Sequence, residues 1–305
     1  MSNPVSVSVP TITPDRRRLW LAAIKPPMYT VAIIPISVGT AVAYAETKTL
    51  NYPIFITFLL GAIAIIAWLN LTNDVFDSET GIDVNKAHSV VNLTGNKNLV
   101  FLIANLFLVL GLISIGAIAW WQQDLTVIAI ILLSCALGYT YQGPPFRLGY
   151  QGLGEIICFF TFGPLAIAAA YYSQTQTISL SSIIPIGTII GITTSIILFC
   201  SHFHQVEDDL KAGKKSPVAR LGTATSANLL NWFCGSVFAL IVMAVIGGIL
   251  PITSLLIFGS LPLAIKLCRH VNENHNLPDK VNNSKFIAVA LHFWSGLLLS
   301  IGLIA

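Results

Sequence analysis

The chain has 305 residues, of which 55% are hydrophobic and only 10% are charged, and its mean hydropathy is +0.78. Ordinary globular domains carry roughly 25% charged residues, so this composition excludes an ordinary water-soluble fold. The formal net charge is +3, and no nucleic-acid partner is expected. The sequence therefore predicts an integral membrane protein.

Nine apolar stretches are long enough to cross a hydrocarbon core of about 30 Å, which requires roughly 17 to 25 helical residues. They are residues 28–45, 53–71, 99–120, 125–141, 155–172, 182–203, 229–248, 252–267 and 286–304. None alternates as the strands of a membrane β-barrel do. Two acidic loops separated by four segments suggest an internal repeat. The predicted fold is an all-α bundle of about nine transmembrane helices around a central cavity, with two four-helix halves and a ninth helix.

The charged residues lie mainly on one side of this arrangement. All Lys and Arg residues except Lys48 fall on one face, as do all carboxylates except Glu46 and Asp124. The positive-inside rule makes that face cytoplasmic, in a bacterial inner membrane or a thylakoid membrane. Residues 1–18 are predicted to be a disordered cytoplasmic tail, and residues 19–305 a single polytopic membrane domain.

The first polar cluster, NLTNDVFDSETGID at residues 70–83, directly follows an apolar segment. If the helix continues, Asn70, Asn73, Asp74 and Asp77 share one helical face. Carboxylate and carboxamide oxygens suit Mg²⁺, which is often shared with substrate phosphates. A solvated acidic helix end is the alternative, although acids at a helix C-terminus oppose the macrodipole and carboxylates beside hydrocarbon are usually functional. We interpret this face as a metal site.

The second polar cluster, HFHQVEDDLKAGKKSPVARLG at residues 202–222, combines acids with lysines. Such a mixture could hold a cation together with an anionic oxygen group, and a solvated charged loop is the alternative. Its charged residues include Glu207, Asp208, Asp209, Lys214 and Lys215. Three further basic residues, Lys25, Lys86 and Arg147, lie before or between the two clusters. Together with Lys214, they are predicted to form a diphosphate-binding ring.

Five motifs occur in an order that resembles the UbiA superfamily of membrane prenyltransferases. They are IKPPMYT, NLTNDVFDSETGID, GYTYQGPPFRLGYQGLGE, FGPLA and DLKAGKKSPVARLG. More narrowly, they resemble the branch that acts on 1,4-dihydroxy-2-naphthoate, particularly its phytyl-transferring members in phylloquinone synthesis. The resemblance runs from about Leu19 to the end of the chain.

The resemblance implies two Mg²⁺ ions on a prenyl diphosphate. The implied metal ligands are Asn70, Asn73, Asp74, Asp77, Gln205, Asp208 and Asp209. The catalytic carboxylates among them are Asp74, Asp77 and Asp209, which act by holding metal. Asp83 lies just beyond the first motif. Gln205 departs from the family pattern of two aspartates four residues apart, and Glu207 or Asp208 could replace the missing charge. His202 and His204 stand where relatives often have Asn and Arg, and each is interpreted either as a structural residue or as a ligand.

The implied reaction transfers a prenyl group, expected to be phytyl, from its diphosphate to 1,4-dihydroxy-2-naphthoate with loss of CO₂. An allylic cation needs aromatic faces nearby, and Tyr139, Tyr141 and Phe160 are the predicted cavity residues, with Phe159 and Phe162 as further candidates. Ordinary packing is the alternative for each aromatic residue. The oligomeric state is not predicted.

Two other classes of function remain open from the sequence. Prenyltransferases acting on homogentisate or 4-hydroxybenzoate share both acidic loops with the naphthoate branch. An ion-coupled transporter also carries carboxylates in its membrane helices, but it would place them nearer the middle of those helices.

Overall fold

The computed structural model describes residues 16–82 and 89–305. Within these ranges eight helices are long and apolar enough to cross a membrane, and one shorter apolar helix accompanies them. In chain order the nine are α1 (Arg17–Thr47), α2 (Tyr52–Thr80), α3 (Lys97–Gln122), α4 (Thr126–Gln142), α5 (Gly154–Thr175), α6 (Leu180–His202), α7 (Thr223–Ile246), α8 (Ile252–Asn274) and α9 (Pro278–Ile304). They match the nine predicted segments, and the all-α membrane fold is confirmed.

Helix α1 is interrupted near its start. Its first part, Arg16–Ile24, ends at Lys25, whose backbone is left-handed with φ at 52°. A short 3₁₀ turn at Pro26–Tyr29 then leads into the long part, Thr30–Thr47. The two prolines explain the interruption, since proline cannot donate the backbone hydrogen bond of a continuing helix. The break places Lys25 beside the end of α2.

The long connections of one membrane face carry three further short helices, at Val90–Thr94, Val206–Lys211 and Pro217–Leu221. Helix α2 is the longest uninterrupted helix among the described residues, because it continues beyond its apolar part to Thr80 and then ends at Gly81, with φ at 76°. Residues 70–80 of the first acidic motif are therefore helical, as their spacing predicts.

Two hydrophobic cores divide the bundle. One joins α2, α3, α4 and the end of α5, and includes Phe58, Ile115 and Val127. The other joins α6 to α9, and includes Phe199 and Leu299. Helix α1 contributes to both cores and packs against α9. The division agrees with two halves, and the cavity described below lies between them.

Helix α5 is irregular where it crosses α6. A wide π-helical turn at Thr161–Leu165 includes Pro164. Opposite it lies Gly187 of α6, where a methyl group would stand only 2.7 Å from the Pro164 Cα atom. This close approach requires glycine at position 187 and fixes the part of α5 that faces the cavity.

The two carboxylates on the opposite face stabilise the other end of the bundle. Glu46 accepts hydrogen bonds from the hydroxyls of Tyr171 and Ser182. Asp124 accepts one from the Tyr172 hydroxyl at 2.7 Å. These bonds join α1 and the loop between α3 and α4 to α5 and α6. The two carboxylates at this end of the bundle therefore have a structural role.

Candidate active site

A cavity of about 210 Å³ opens between the two halves. It is lined by residues of α1, α2, α4, α5, α6 and α9. Most of its wall is apolar, including Val31, Ile66 and Phe162. Asn70 and Asn73 from the first motif lie in the wall of this cavity. The prediction of a central cavity is confirmed.

Asp74 of the first motif is almost completely buried, with 1% of its surface exposed. Its Oδ1 atom lies 3.0 Å from the ammonium nitrogen of Lys25, and its Oδ2 atom accepts the backbone N–H of Val90 at 3.0 Å. The helix break in α1 and the start of Val90–Thr94 thus hold this carboxylate. Lys25 lies at the acidic site, where the sequence predicts it.

Asp77 lies one turn further along the same face and is also buried. Its Oδ1 atom accepts hydrogen bonds from Gln142 Nε2 at 2.7 Å and from the Tyr150 hydroxyl at 3.3 Å. Tyr150 also contacts the Thr80 hydroxyl. Burial, followed by the charge of Asp77, raises the pKa of Tyr150. The phenol therefore keeps its proton near neutral pH and serves as a donor to Asp77.

Only one of the three acidic side chains in the second motif is buried in the protein. Asp209 is fully buried, whereas Glu207 and Asp208 are exposed. Asp209 Oδ2 lies 3.1 Å from His202 Nδ1, and its Oδ1 lies 3.7 Å from Lys214 Nζ. Burial alone would raise the pKa of Asp209, but the His202 hydrogen bond and the Lys214 charge hold it below its usual value. The carboxylate is therefore ionised near neutral pH.

His202 also reaches a second carboxylate. Its Nε2 atom lies 3.4 Å from Glu155 Oε1, at the start of α5. Glu155 is 14% exposed, and its two carboxylate oxygens have no hydrogen-bond partner among the described residues. His202 thus links the second motif to α5.

Tyr150 connects the two motifs. Its hydroxyl bonds to Asp77, while the ammonium of Lys214 lies 5.7 Å from the centroid of its ring. Its carbonyl accepts the backbone N–H of Lys215 at 2.7 Å. A cation over an aromatic face is attracted by the ring quadrupole. The two acidic motifs therefore meet through the loop between α4 and α5, as the predicted repeat requires.

The other predicted site residues make different contacts, are exposed or lie outside the described residues. Arg147, whose backbone is left-handed with φ at 43°, contacts Glu79 at 3.3 Å. Asp208 is exposed, because the helix Val206–Lys211 turns only Asp209 inward. Gln205 precedes this helix, and its carbonyl accepts the Asp209 N–H at 2.8 Å. Asp83 and Lys86 lie outside the described residues.

Aromatic side chains form part of the cavity wall. Tyr139, Tyr141 and Phe162 line it. Phe160 does not line it: the side chain is 50% exposed on the outer surface of the bundle and packs edge-on against Phe159 at 5.1 Å. The reason is the phase of α5, which turns Phe160 away while Thr161 and Phe162 face inward.

The oxygen donors of the two motifs fit a hard divalent cation, which prefers carboxylates, carboxamides and water. Among the described residues no three His, Cys, Asp or Glu side chains form a metal cluster by themselves. Asp209 Oδ1 and both Glu155 oxygens are nevertheless buried and accept no hydrogen bond from the described part of the chain. A cation shared with a diphosphate would satisfy such oxygens.

Sequence reasoning missed three residues of this site, namely Gln142, Tyr150 and Glu155. All three lie in the motif GYTYQGPPFRLGYQGLGE, and two of them also have a signal of their own in the sequence. Gln142 is a polar residue at the end of an apolar segment, and Glu155 is a carboxylate at the start of one. The rule that singled out Asp74, that acids beside hydrocarbon are usually functional, applies equally to Glu155.

Fold and site together define a multi-pass membrane protein in which buried carboxylates and basic side chains lie beside an apolar cavity, with Asp77 bonded to the cavity residue Gln142. A family model described as the UbiA prenyltransferase family matches residues 32–297. The chain belongs to this family and is a membrane prenyltransferase.

Two relatives and one solved structure illustrate the similarity. The chain is 59% identical to the 2-carboxy-1,4-naphthoquinone phytyltransferase of Synechocystis sp., covering 96% of this chain and 95% of the relative. It is 41% identical to the chloroplastic protein of the same name from Arabidopsis thaliana, covering 95% and 78%. A UbiA homolog from Archaeoglobus fulgidus bound to DMAPP and Mg²⁺ has a TM-score of 0.64 at 17% identity, covering 92% and 99%.

Proposed function

We propose that this protein transfers a phytyl group from phytyl diphosphate to 1,4-dihydroxy-2-naphthoate, with loss of CO₂, in the synthesis of phylloquinone or a related naphthoquinone. The observation that carries the proposal is the meeting of two acidic motifs, through Tyr150, beside an apolar cavity whose wall includes Asn70, Asn73 and Gln142. The phytyltransferase names of the two relatives support the donor and the acceptor class.

The first step is ionisation of the donor. Two bound Mg²⁺ ions would neutralise the diphosphate and make it a better leaving group. Asn70, Asn73, Asp74 and Asp77 would hold one ion, and Asp209 with Gln205 the other. The allylic C–O bond breaks, and the diphosphate leaves with the electron pair. Lys25 keeps Asp74 in place, and Lys214 keeps Asp209 in place.

The apolar cavity protects the resulting allylic cation. Phe76 and Tyr139 pack edge to face at 5.8 Å and both line the cavity, together with Tyr141. Aromatic faces attract a cation, and the surrounding aliphatic side chains exclude water that would otherwise capture it. The long isoprenoid tail would extend between the helices toward the lipid.

The acceptor then attacks through the ring carbon that bears its carboxyl group. A new C–C bond forms to the allylic carbon, and a ring hydroxyl becomes a carbonyl as it releases its proton. The bond to the carboxyl group breaks next, CO₂ leaves, and its electron pair restores the aromatic ring as the oxygen takes a proton back. The products are the prenylated naphthoquinol, CO₂ and diphosphate.

The reduced form of the acceptor is the nucleophile in this proposal. The relatives are named for 2-carboxy-1,4-naphthoquinone, the oxidised form of the same ring. A quinone ring is electron-poor and attacks a carbocation weakly, whereas the dihydroxy form is electron-rich. Because the carboxylate is present in both forms, the binding site would recognise either one.

The proposed topology places the acidic motifs on the cytoplasmic side, in a bacterial inner membrane or a thylakoid membrane. The bias of Lys and Arg toward this face supports it. Glu46 and Asp124, the two carboxylates expected on the opposite face, bond to Tyr171 and Tyr172 at the other end of the bundle.

The test is turnover by purified protein in lipid, with phytyl diphosphate and one of three acceptors: 1,4-dihydroxy-2-naphthoate, homogentisate or 4-hydroxybenzoate. We expect prenylated naphthoquinol and CO₂ in equal amounts with the first acceptor. Preference for either other acceptor would contradict the naphthoate assignment. Inactivity with every acceptor and with shorter prenyl diphosphates would contradict prenyl transfer itself.

A further inference from the structure

Lys285 occupies a position that no other described basic residue shares. It lies in the wall of the central cavity, and it is the one charged side chain among the described residues that line it. Lys25, Arg147 and Lys214, the described members of the predicted diphosphate ring, contact carboxylates and do not line the cavity. The location of Lys285 therefore separates it from the diphosphate ring.

The first turn of Ser284–Ile304 fixes the backbone of Lys285. The neighbouring Ser284 is fully buried, and its hydroxyl donates to the carbonyl of Cys200 in α6 at 3.2 Å. The next residue of α6, Ser201, also lines the cavity. The ammonium of Lys285 lies 5.3 Å from the centroid of the Phe286 ring. Lys285 is thus part of the cavity wall, and its ammonium lies over the ring of Phe286, which is 51% exposed and does not itself line the cavity.

An anionic acceptor needs a cation in such a place. A carboxylate that leaves water for an apolar cavity loses much of its solvation energy unless an opposite charge compensates. The Asp and Glu residues of the site cannot do this, since their charge has the same sign. Among the lining residues described, only Lys285 carries the required positive charge.

We propose that Lys285 binds the carboxylate of the aromatic acceptor and thereby selects carboxylated naphthalene rings. This rests on the proposed function, which supplies a carboxylated acceptor. Tyr141 and Phe162, which also line the cavity, would contact the ring itself. The lysine contacts the group that is lost as CO₂, so it holds the carboxyl-bearing carbon in position for attack.

The proposal predicts a particular kinetic pattern. A contact made with the bound carboxylate before the reaction contributes mainly to acceptor binding rather than to the chemical step. In Lys285→Met the KM for the acceptor should rise about tenfold to hundredfold, as for loss of a hydrogen bond to a charged group. The KM for phytyl diphosphate should change little. Lys285→Arg should restore most of the acceptor affinity.

Lys280→Met provides the matched control. Lys280 is an exposed lysine of the short turn Pro278–Val281, just before Lys285, and it does not line the cavity. Its replacement removes the same charge from the same membrane face, so we expect both KM values to remain close to those of the unchanged protein. An equal rise in acceptor KM in both variants would contradict a specific contact.

A binding measurement separates this proposal from the reaction. Without any prenyl diphosphate nothing turns over, and 1-hydroxy-2-naphthoate and 1-naphthol can be compared as ligands by the thermal stabilisation they produce. The unchanged protein should bind the carboxylated ring more tightly. Lys285→Met should lose this preference while still binding 1-naphthol, which also shows that the variant is folded.

The outcomes for the two proposals are distinct. An unchanged preference for the carboxylated ring in Lys285→Met, or an unchanged acceptor KM, would overturn the role of Lys285. Loss of the preference together with a raised acceptor KM would support it. If the unchanged protein binds the carboxylated ring through Lys285 but does not prenylate it, the proposed function fails and the binding role of Lys285 stands.

Discussion

The hydroxyl of Tyr150 lies 3.3 Å from Asp77 Oδ1, so the loop between α4 and α5 contacts the first acidic motif directly. The ring of the same tyrosine lies beneath Lys214 of the second motif. One side chain therefore bridges the two halves of the repeat.

Replacing Tyr150 with Phe tests this bridge. The variant keeps the ring beneath Lys214 and loses only the hydrogen bonds to Asp77 and Thr80. We expect a loss of stability of about 0.5 to 1.5 kcal/mol per bond, and a higher Mg²⁺ concentration for half-maximal turnover. Thermal unfolding and a Mg²⁺ titration measure the two effects. An unchanged Mg²⁺ requirement would show that the bridge has no part in the metal site.

Asp208 and Asp209 form a matched pair for the second motif. The two acids are adjacent in the chain, but Asp209 is buried between His202 and Lys214 and Asp208 is exposed. Asp209→Asn should lower turnover by about a hundredfold or more, the size of effect typical of a group that stabilises transition-state charge. Asp208→Asn should retain most turnover. Equal losses in the two variants would contradict the inward role of Asp209.

Glu155 should contribute negative charge to the second motif. Its oxygens are buried near His202, and the resemblance described above implies an aspartate where this chain has the uncharged Gln205. We expect Glu155→Gln to raise the Mg²⁺ concentration for half-maximal turnover several-fold. Glu207→Gln is the control, because Glu207 is 83% exposed and its carboxylate lies 3.7 Å from the ammonium of Lys211. The same Mg²⁺ requirement in Glu155→Gln and the unchanged protein would exclude this contribution.

The close crossing of α5 and α6 should be sensitive to one methyl group. In Gly187→Ala the added carbon would stand 2.7 Å from the Pro164 Cα atom, and backbone cannot move away as a flexible side chain can. We expect a loss of about 1 to 3 kcal/mol, typical of overpacking. Gly235→Ala adds the same methyl group to α7, where nothing lies within 4 Å, and should leave the midpoint of thermal unfolding nearly unchanged. Equal midpoints in the two variants would contradict the close packing.

Much of the fold follows from local patterns in the sequence. The nine spans follow from hydropathy, since each helix must satisfy its own backbone in lipid. The shared face of Asp74 and Asp77 follows from helical periodicity, which continues unbroken to Thr80. The break within α1 is also local, because Lys25 precedes two prolines.

The inward position of Asp209 and the outward position of Phe160 depend on longer-range features. Helix α6 ends at His202, and a new helix begins at Val206, so the phase of the second motif is reset between them. The π-helical turn Thr161–Leu165 alters the phase of α5 in a similar way. Contacts such as that of Glu155 with His202 join residues on different helices, and no spacing within one segment predicts them.

The central claim is that the acidic motifs bind Mg²⁺ and activate a prenyl diphosphate. The most direct measurement is the Mg²⁺ dependence of prenylated naphthoquinol formation by purified, lipid-embedded protein and by its Asp74→Ala and Asp77→Ala variants. We predict saturable Mg²⁺-dependent turnover in the unchanged protein and none in either variant, although both remain folded in the membrane. Turnover without any divalent cation, or retained turnover in either variant, would contradict the account.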